Sequence, residues 1–319
     1  MKTRKLAGSD LSVSPVAFGG NVFGWTLDEK QSFGILDGFA EAGFNFIDTA
    51  DTYSTWVPGN RGGESETIIG KWMKSRGNRE NLVLATKLGG DMGGGKKGLK
   101  ADYMKKAVED SLKRLQTGYI DLYQAHYDDP ETPVEETITA FNDLIKEGKV
   151  RYIGASNLDA SRIRASNEFA RANGLAGYIA LQPLYNLYER ETFETGYLKL
   201  AEEENLAVLS YFALASGFLT GKYRSEADFG KSARGGGMKR YLDDRGRRIL
   251  SAMDDVAAET GTSLAQIALA WQLQKPFITA PIASATNSSQ LADLAAATNL
   301  QLTEEQVGSL DKASAYTGS

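Results

Sequence analysis

Short apolar runs alternate with longer amphipathic segments along the whole chain. Residues 16–20, 44–48, 81–87, 119–126, 150–156, 178–182, 206–212 and 277–284 are rich in Val, Ile, Leu, Phe and Tyr. Several of these runs are apolar almost throughout, as parallel strands covered on both faces are. Between them apolar positions recur at helical spacing, with helix punctuation at the ends. Thr132 followed by Pro133, Glu135 and Glu136 supplies a cap, a first-turn proline and early acids ahead of Ile138, Phe141 and Leu144, with Gly148 as the stop. Helical segments 104–115, 163–172 and 249–258 end before Gly118, Gly174 and Gly261.

Eight strand–helix units without a linker predict a (β/α)8 barrel, an α/β fold in which all 319 residues form one domain. The competing open, doubly wound sheet starts with a Gly-x-Gly-x-x-Gly turn after its first strand. Phe18-Gly19-Gly20-Asn21-Val22-Phe23-Gly24 lacks that spacing. Residues 3–14 read as a short hairpin around Gly8-Ser9-Asp10, placed to plug the barrel bottom. The least regular stretch is 217–240, with Gly235-Gly236-Gly237 inside it. Loops of that length in a compact domain are usually functional or mobile.

Composition narrows the function classes. The chain is 42% hydrophobic and 24% charged, which suits a large soluble core. A net charge of −5 argues against a nucleic-acid or anionic-membrane partner. With no Cys there is no disulfide framework and no thiolate chemistry, and one His argues against a His-based zinc site. Met1-Lys2-Thr3-Arg4-Lys5 lacks the apolar stretch of a signal peptide, and no 18 apolar residues run together. The expectation is a cytoplasmic protein without a metal; nothing in the sequence sets its oligomeric state.

Candidate chemistry gathers at strand ends. The predicted second, third and fourth strands finish in Asp48, Lys87 and His126, the chain's single imidazole. In a barrel those ends converge on one face, where active sites form. Tyr53 lies five residues past Asp48 and can fold back over the same mouth. Each residue alone would be an ordinary solvated or capping group; the joint arrangement is not. A phenol of pKa near ~10 is a poor acid unless its anion is stabilised. A neighbouring Lys⁺ does that, a carboxylate orients the Lys, and imidazole can hydrogen-bond a carbonyl oxygen. The set suits protonation of a carbonyl oxygen while its carbon is attacked.

These segments resemble the aldo-keto reductases over essentially the full chain. Phe46-Ile47-Asp48-Thr49-Ala50-Asp51-Thr52-Tyr53, Leu82-Val83-Leu84-Ala85-Thr86-Lys87 and Ile120-Asp121-Leu122-Tyr123-Gln124-Ala125-His126 are similar to the family's tyrosine, lysine and histidine motifs. The resemblance implies a catalytic tetrad of Asp48, Tyr53, Lys87 and His126. It also implies NADPH, with NADH possible, extended across the barrel mouth. Gly20, Asn21 and Asp48 would approach the nicotinamide ribose, Ser156, Asn157 and Gln182 the carboxamide, and Tyr211 would stack on the ring. Phe212, Leu214, Ser216, Gly217, Leu219, Gly221 and Lys222 would wrap the pyrophosphate. Ser284, Thr286 and Gln290 align with the segment holding the adenosine 2′-phosphate, where some branches place Arg or Lys. Leu294 stands where Asn is common. The 2′-phosphate would be held either by the Ser284 and Thr286 hydroxyls and backbone groups at a helix N-terminus, or by a cation from the 217–240 loop, with Arg234, Lys239 and Arg240 as candidates.

For substrate, Trp25, Trp56 and Tyr127 fall in loops on the active face, beside Tyr53 and His126. The implied function is reversible hydride transfer between nicotinamide and an aldehyde or ketone, with alcohol oxidation as the reverse. A redox-sensing subunit of the same fold, like the potassium-channel β subunits, is the rival; that branch tends to carry Asn where His126 stands. A Schiff-base lyase using Lys87 is the third reading.

Overall fold

The computed structural model describes residues 2–316. Two short antiparallel strands, β1 (Arg4–Lys5) and β2 (Ser12–Val13), form the N-terminal hairpin. Eight parallel strands follow: β3 (Ala17–Gly19), β4 (Phe46–Asp48), β5 (Val83–Leu88), β6 (Ile120–Ala125), β7 (Val150–Ser156), β8 (Tyr178–Gln182), β9 (Ala207–Val208) and β10 (Ile282–Ala283). β10 pairs with β3, and on its other side Thr279 N–H donates to Val208 O (2.9 Å) and Ile282 N–H to Ser210 O (2.8 Å). The sheet is therefore a closed (β/α)8 barrel.

The sequence pattern marks all eight barrel strands, but the last two are shorter than expected. Their expected spans were 206–212 and 277–284, and ladder pairing covers two residues in each. Pro183 and Pro281 adjoin these strands and have no N–H to donate, so the ladder breaks into single bonds such as Tyr211 N–H to Pro183 O (2.9 Å). Helix ends differ in detail. The helix Val134–Lys146 begins after Pro133, which is itself the cap residue, while Thr132 Oγ1 donates to Asp129 Oδ2 (2.7 Å). The helix Ala101–Leu115 closes on a left-handed Gln116 rather than on Gly118. The irregular stretch is organised as three 3₁₀ segments, Ala215–Thr220, Glu226–Lys231 and Gly235–Tyr241.

Period-two alternation sorts the strands into two faces. Ile47, Leu84, Tyr123, Ile153, Leu181 and Val208 point outward into the layer shared with the helices. Phe46, Val83, Ala85, Leu122, Ala180, Ala207 and Leu209 fill the barrel with Leu6, Leu11 and Val13 of the hairpin. The hairpin thus plugs the bottom, tied down by Arg151 to Asp10 (2.8 Å) and Tyr152 Oη to Asp10 Oδ1 (2.9 Å). Two residues further along β4, β5, β6 and β8, the same inward face becomes polar: Asp48, Lys87, Gln124 and Gln182, all buried.

Candidate active site

Lys87 is wholly buried on β5, and its ammonium has three acceptors: Asp48 Oδ2 (2.7 Å), Thr49 O (2.7 Å) and Tyr53 Oη (3.2 Å). All three protons of Nζ are thereby engaged. Burial works against the charge, but Asp48 and Tyr53 more than offset it and the Lys87 pKa is raised. The second oxygen of Asp48 accepts from Gln182 Nε2 (2.9 Å) and Gln124 Nε2 (3.4 Å). Burial raises the Tyr53 pKa, and Lys87 pulls it down without cancelling that effect. The sequence position of Lys87 implies that the cation dominates, but desolvation outweighs it.

His126 follows β6 and is 8% exposed, with its ring 6.1 Å from that of Tyr53. Its Nδ1 is buried without a hydrogen-bond partner among the described residues. Burial, and secondarily the Lys87 charge, push its pKa well below the ordinary imidazole value, so it is neutral at physiological pH. Tyr127 stacks on it at 4.5 Å. On the other side of Tyr53, Trp56 lies edge-on at 5.7 Å, and Trp25 is edge-on to Trp56 at 5.7 Å.

These groups border one cleft of about 1120 Å³ at the C-terminal mouth of the barrel. Its walls include Asn21, Trp25, Asp48, Tyr53, Trp56, His126, Tyr127, Ser156, Asn157, Gln182, Tyr211, Phe212, Leu214, Ser216, Gly217, Lys222, Ser284, Thr286 and Gln290. Lys87 sits beneath Tyr53, and Gly19 rather than Gly20 faces the cleft. Leu219 is buried in the core, and Gly221 is the left-handed residue that ends a 3₁₀ turn. Neither lines the cleft.

Within the cleft, Asn157 Nδ2 donates to His126 O (2.8 Å) and Ser156 Oγ (3.0 Å), while Asn157 Oδ1 accepts from Tyr211 Oη (3.0 Å). Further along, Ala215, Ser216 and Gly217 have φ of 47, 55 and 99°. Ala215 N–H donates to Phe212 O (2.7 Å) and Gly217 N–H to Leu214 O (2.8 Å), so the run is a tight turn closed on its own backbone. A Cβ on Gly217 would stand 3.3 Å from Lys222 Nζ, so the missing side chain leaves the lysine room against the turn.

At the far end, Gln290 Oε1 accepts from Thr286 N–H (2.8 Å) and Thr286 Oγ1 (3.0 Å), and Ser284 Oγ lies 2.6 Å from Gly19 O. Asp293 also faces the cleft there. Of the three candidate cations, Arg234 lines the cleft and stacks over Trp25 at 5.1 Å. Lys239 pairs with Glu226 (3.3 Å) and Arg240 with Glu189 (3.4 Å), both outside the cleft.

Sequence reasoning passed over Gln124, although it stands two residues before His126 and so shares its face. Stepping back along the strand at period two would have found it. It also passed over the Thr49 carbonyl, a main-chain group without a sequence signal.

A closed (β/α)8 barrel with an Asp–Lys–Tyr contact beside a neutral imidazole at its mouth defines a class of oxidoreductases. The chain belongs to the aldo/keto reductase family, whose profile matches residues 15–315. Its relatives include norsolorinic acid reductase B of Aspergillus parasiticus, 33% identical across 96% of this chain and 82% of that protein. The uncharacterized oxidoreductase YrpG of Bacillus subtilis is 36% identical across 96% of this chain and 93% of its own length. A probable voltage-gated potassium channel subunit beta of Oryza sativa subsp. japonica is 35% identical across 92% and 90%. Among the described residues no helix is long and apolar enough to cross a membrane.

Proposed function

We propose that this chain is an NAD(P)H-dependent carbonyl reductase working reversibly on an aldehyde or ketone. The observation that carries the proposal is the contact of Lys87 Nζ with both Asp48 Oδ2 (2.7 Å) and Tyr53 Oη (3.2 Å) under an open cleft. Tyr53 gives its phenolic proton to the substrate oxygen. Lys87 stabilises the phenolate left behind, and Asp48 keeps Lys87 charged and oriented. Neutral His126 directs the carbonyl oxygen toward Tyr53 by a hydrogen bond, without adding charge. Trp25, Trp56 and Tyr127 give the substrate's apolar body a wall.

The residues present fit a nicotinamide dinucleotide. Lys222, with the room that Gly217 leaves beside it, supplies a positive charge for a pyrophosphate. Asn157, Ser156 and Gln182 present acceptor oxygens to a carboxamide, their own N–H and O–H groups being engaged within the protein, and Tyr211 offers a ring face. When bound, the cofactor supplies the hydride. NADPH is our first assignment, and NADH is close behind because Gln290 already occupies the Thr286 donors and Arg234 stacks on Trp25 of the substrate wall. The chain works as one catalytic unit in the cytoplasm.

A Schiff-base role for Lys87 is disfavoured by its burial and three acceptors, which leave no lone pair for a carbonyl carbon. The regulatory-subunit reading is supported by the channel-subunit relative. The test is a screen of aldehydes, ketones and alcohols with both cofactors, followed by nicotinamide absorbance. Turnover of any carbonyl class that disappears in Tyr53→Phe supports the reductase. Tight cofactor binding with no turnover across the screen overturns it in favour of the regulatory subunit.

A further inference from the structure

Gln124 is a wholly buried amide on the inner face of β6, and its side chain has two hydrogen-bonding partners. Its Nε2 donates to Asp48 Oδ1 (3.4 Å), and its Oε1 accepts from Gln182 Nε2 (3.4 Å). A polar side chain is buried at a cost unless its bonding groups are satisfied, and here they are satisfied by the site alone. The residue two places earlier on the same face, Leu122, is apolar and part of the barrel filling, so packing at this level does not itself call for an amide.

We propose that Gln124 is a positioning residue that locks the orientation of the Gln182 amide and shares in anchoring Asp48. The inference rests on the reductase reading above. Gln182 Nε2 meets two acceptors, Asp48 Oδ1 (2.9 Å) and Gln124 Oε1 (3.4 Å), so both its N–H bonds point into the barrel. Its Oε1 is then the end left for a ligand in the cleft. A primary carboxamide meets that oxygen through its own NH₂ group, and the opposite approach would set two acceptors face to face. Gln124 thus selects one of the two ways a nicotinamide carboxamide can lie. Asp48 joins the same network to Lys87 and Tyr53, so the amide pair also drains part of the carboxylate's charge away from Lys87. Without Gln124, Asp48 presses its charge more fully on Lys87, and the phenolate of Tyr53 loses stabilisation.

The test uses Gln124→Met, which keeps the volume and removes the amide, with thermal melting to establish that it folds. Calorimetry compares two ligand pairs: NADP⁺ with 2′-phospho-ADP-ribose, and NAD⁺ with ADP-ribose. The second member of each pair lacks nicotinamide. The expected result is about a 5–30-fold loss of affinity for the whole cofactors, the scale of one or two neutral hydrogen bonds, with the nicotinamide-free ligands unchanged. The pH midpoint of alcohol oxidation should also move upward. Equal effects on both members of a pair, or none on either, overturn the proposal. Should Gln124→Met fail to fold, Gln124→Leu, which also removes the acceptor of Gln182 Nε2, supplies the same comparison. The reductase reading fails separately, through activity in Tyr53→Phe.

Discussion

Replacing Tyr53 with Phe deletes one oxygen and so separates proton donation from everything else in the cleft. In the structure that oxygen is the farthest of the three acceptors of Lys87, at 3.2 Å against 2.7 Å for Asp48 and Thr49. Its loss leaves the strong bonds in place and opens one ammonium proton to the cleft, so the stability cost should be about 0.5–1.5 kcal/mol. General acid catalysis contributes roughly 10²–10⁴-fold, or about 2.7–5.5 kcal/mol of barrier. Activity should therefore fall far more than stability. Carbonyl reduction would be followed by nicotinamide absorbance, and cofactor affinity by quenching of Trp25 and Trp56, which line the cleft. Wild-type reduction should stay level through neutral pH, because burial raises the phenol's pKa and keeps it protonated, and decline only in strong alkali. Turnover within tenfold of wild type would refute the assignment. A loss of cofactor affinity as large as the loss of turnover would do the same.

Three further outcomes follow from the same geometry. Lys87→Met should abolish reduction and cost about 3–5 kcal/mol of stability by leaving Asp48 as a buried unpaired charge; adding Asp48→Asn should restore stability in denaturant melts but not activity. His126 is held well below the ordinary imidazole pKa, so kcat/KM for a ketone should show no inflection near ~6.5, and His126→Ala should hurt ketones most by releasing the carbonyl's orientation; a step at that pH would mean the imidazole titrates normally. Asp51 is pushed up to about 8, first by burial and then by Glu66, so the folded chain holds a proton that the unfolded chain sheds near pH 4. Folding stability from this group falls as pH rises from about 4 to 8 and levels off above that. Asp51→Asn should flatten that slope and raise the melting temperature at pH 8 relative to wild type, and an unchanged slope would show that Asp51 ionises as an exposed acid does.

The barrel was legible because its two periodicities are strong. Every expected strand is present, and the inward register that carries Phe46 to Asp48 and Ala85 to Lys87 follows from counting by two. The strand ends beside Pro183 and Pro281 were misjudged because apolar character continues there while the donors do not. Asp48, Lys87, Tyr53 and His126 could be named because they end strands or stand close after one. Their mutual distances could not, and neither could Gln124, whose role depends on the opposite strand supplying Gln182. Desolvation was equally invisible: the strand ends imply that Lys87 and Tyr53 share one face, but not that burial outweighs the lysine's pull on the phenol.

The plug formed by Leu6, Leu11 and Val13 has a consequence for traffic through the molecule. With its floor sealed by hydrocarbon, the barrel has a single door, shared by cofactor, substrate and protons. On the reductase reading, an apolar layer of Phe46, Val83, Ala85 and Leu122 separates Lys87 and the proton donor Tyr53 from the hairpin below. Each proton delivered must be replaced from the mouth, after the product has begun to leave. Reprotonation and product departure would then share one route, and the slow step of the proposed cycle should answer to whatever loosens the aromatic wall of Trp25, Trp56 and Tyr127 rather than to changes at the barrel's lower end.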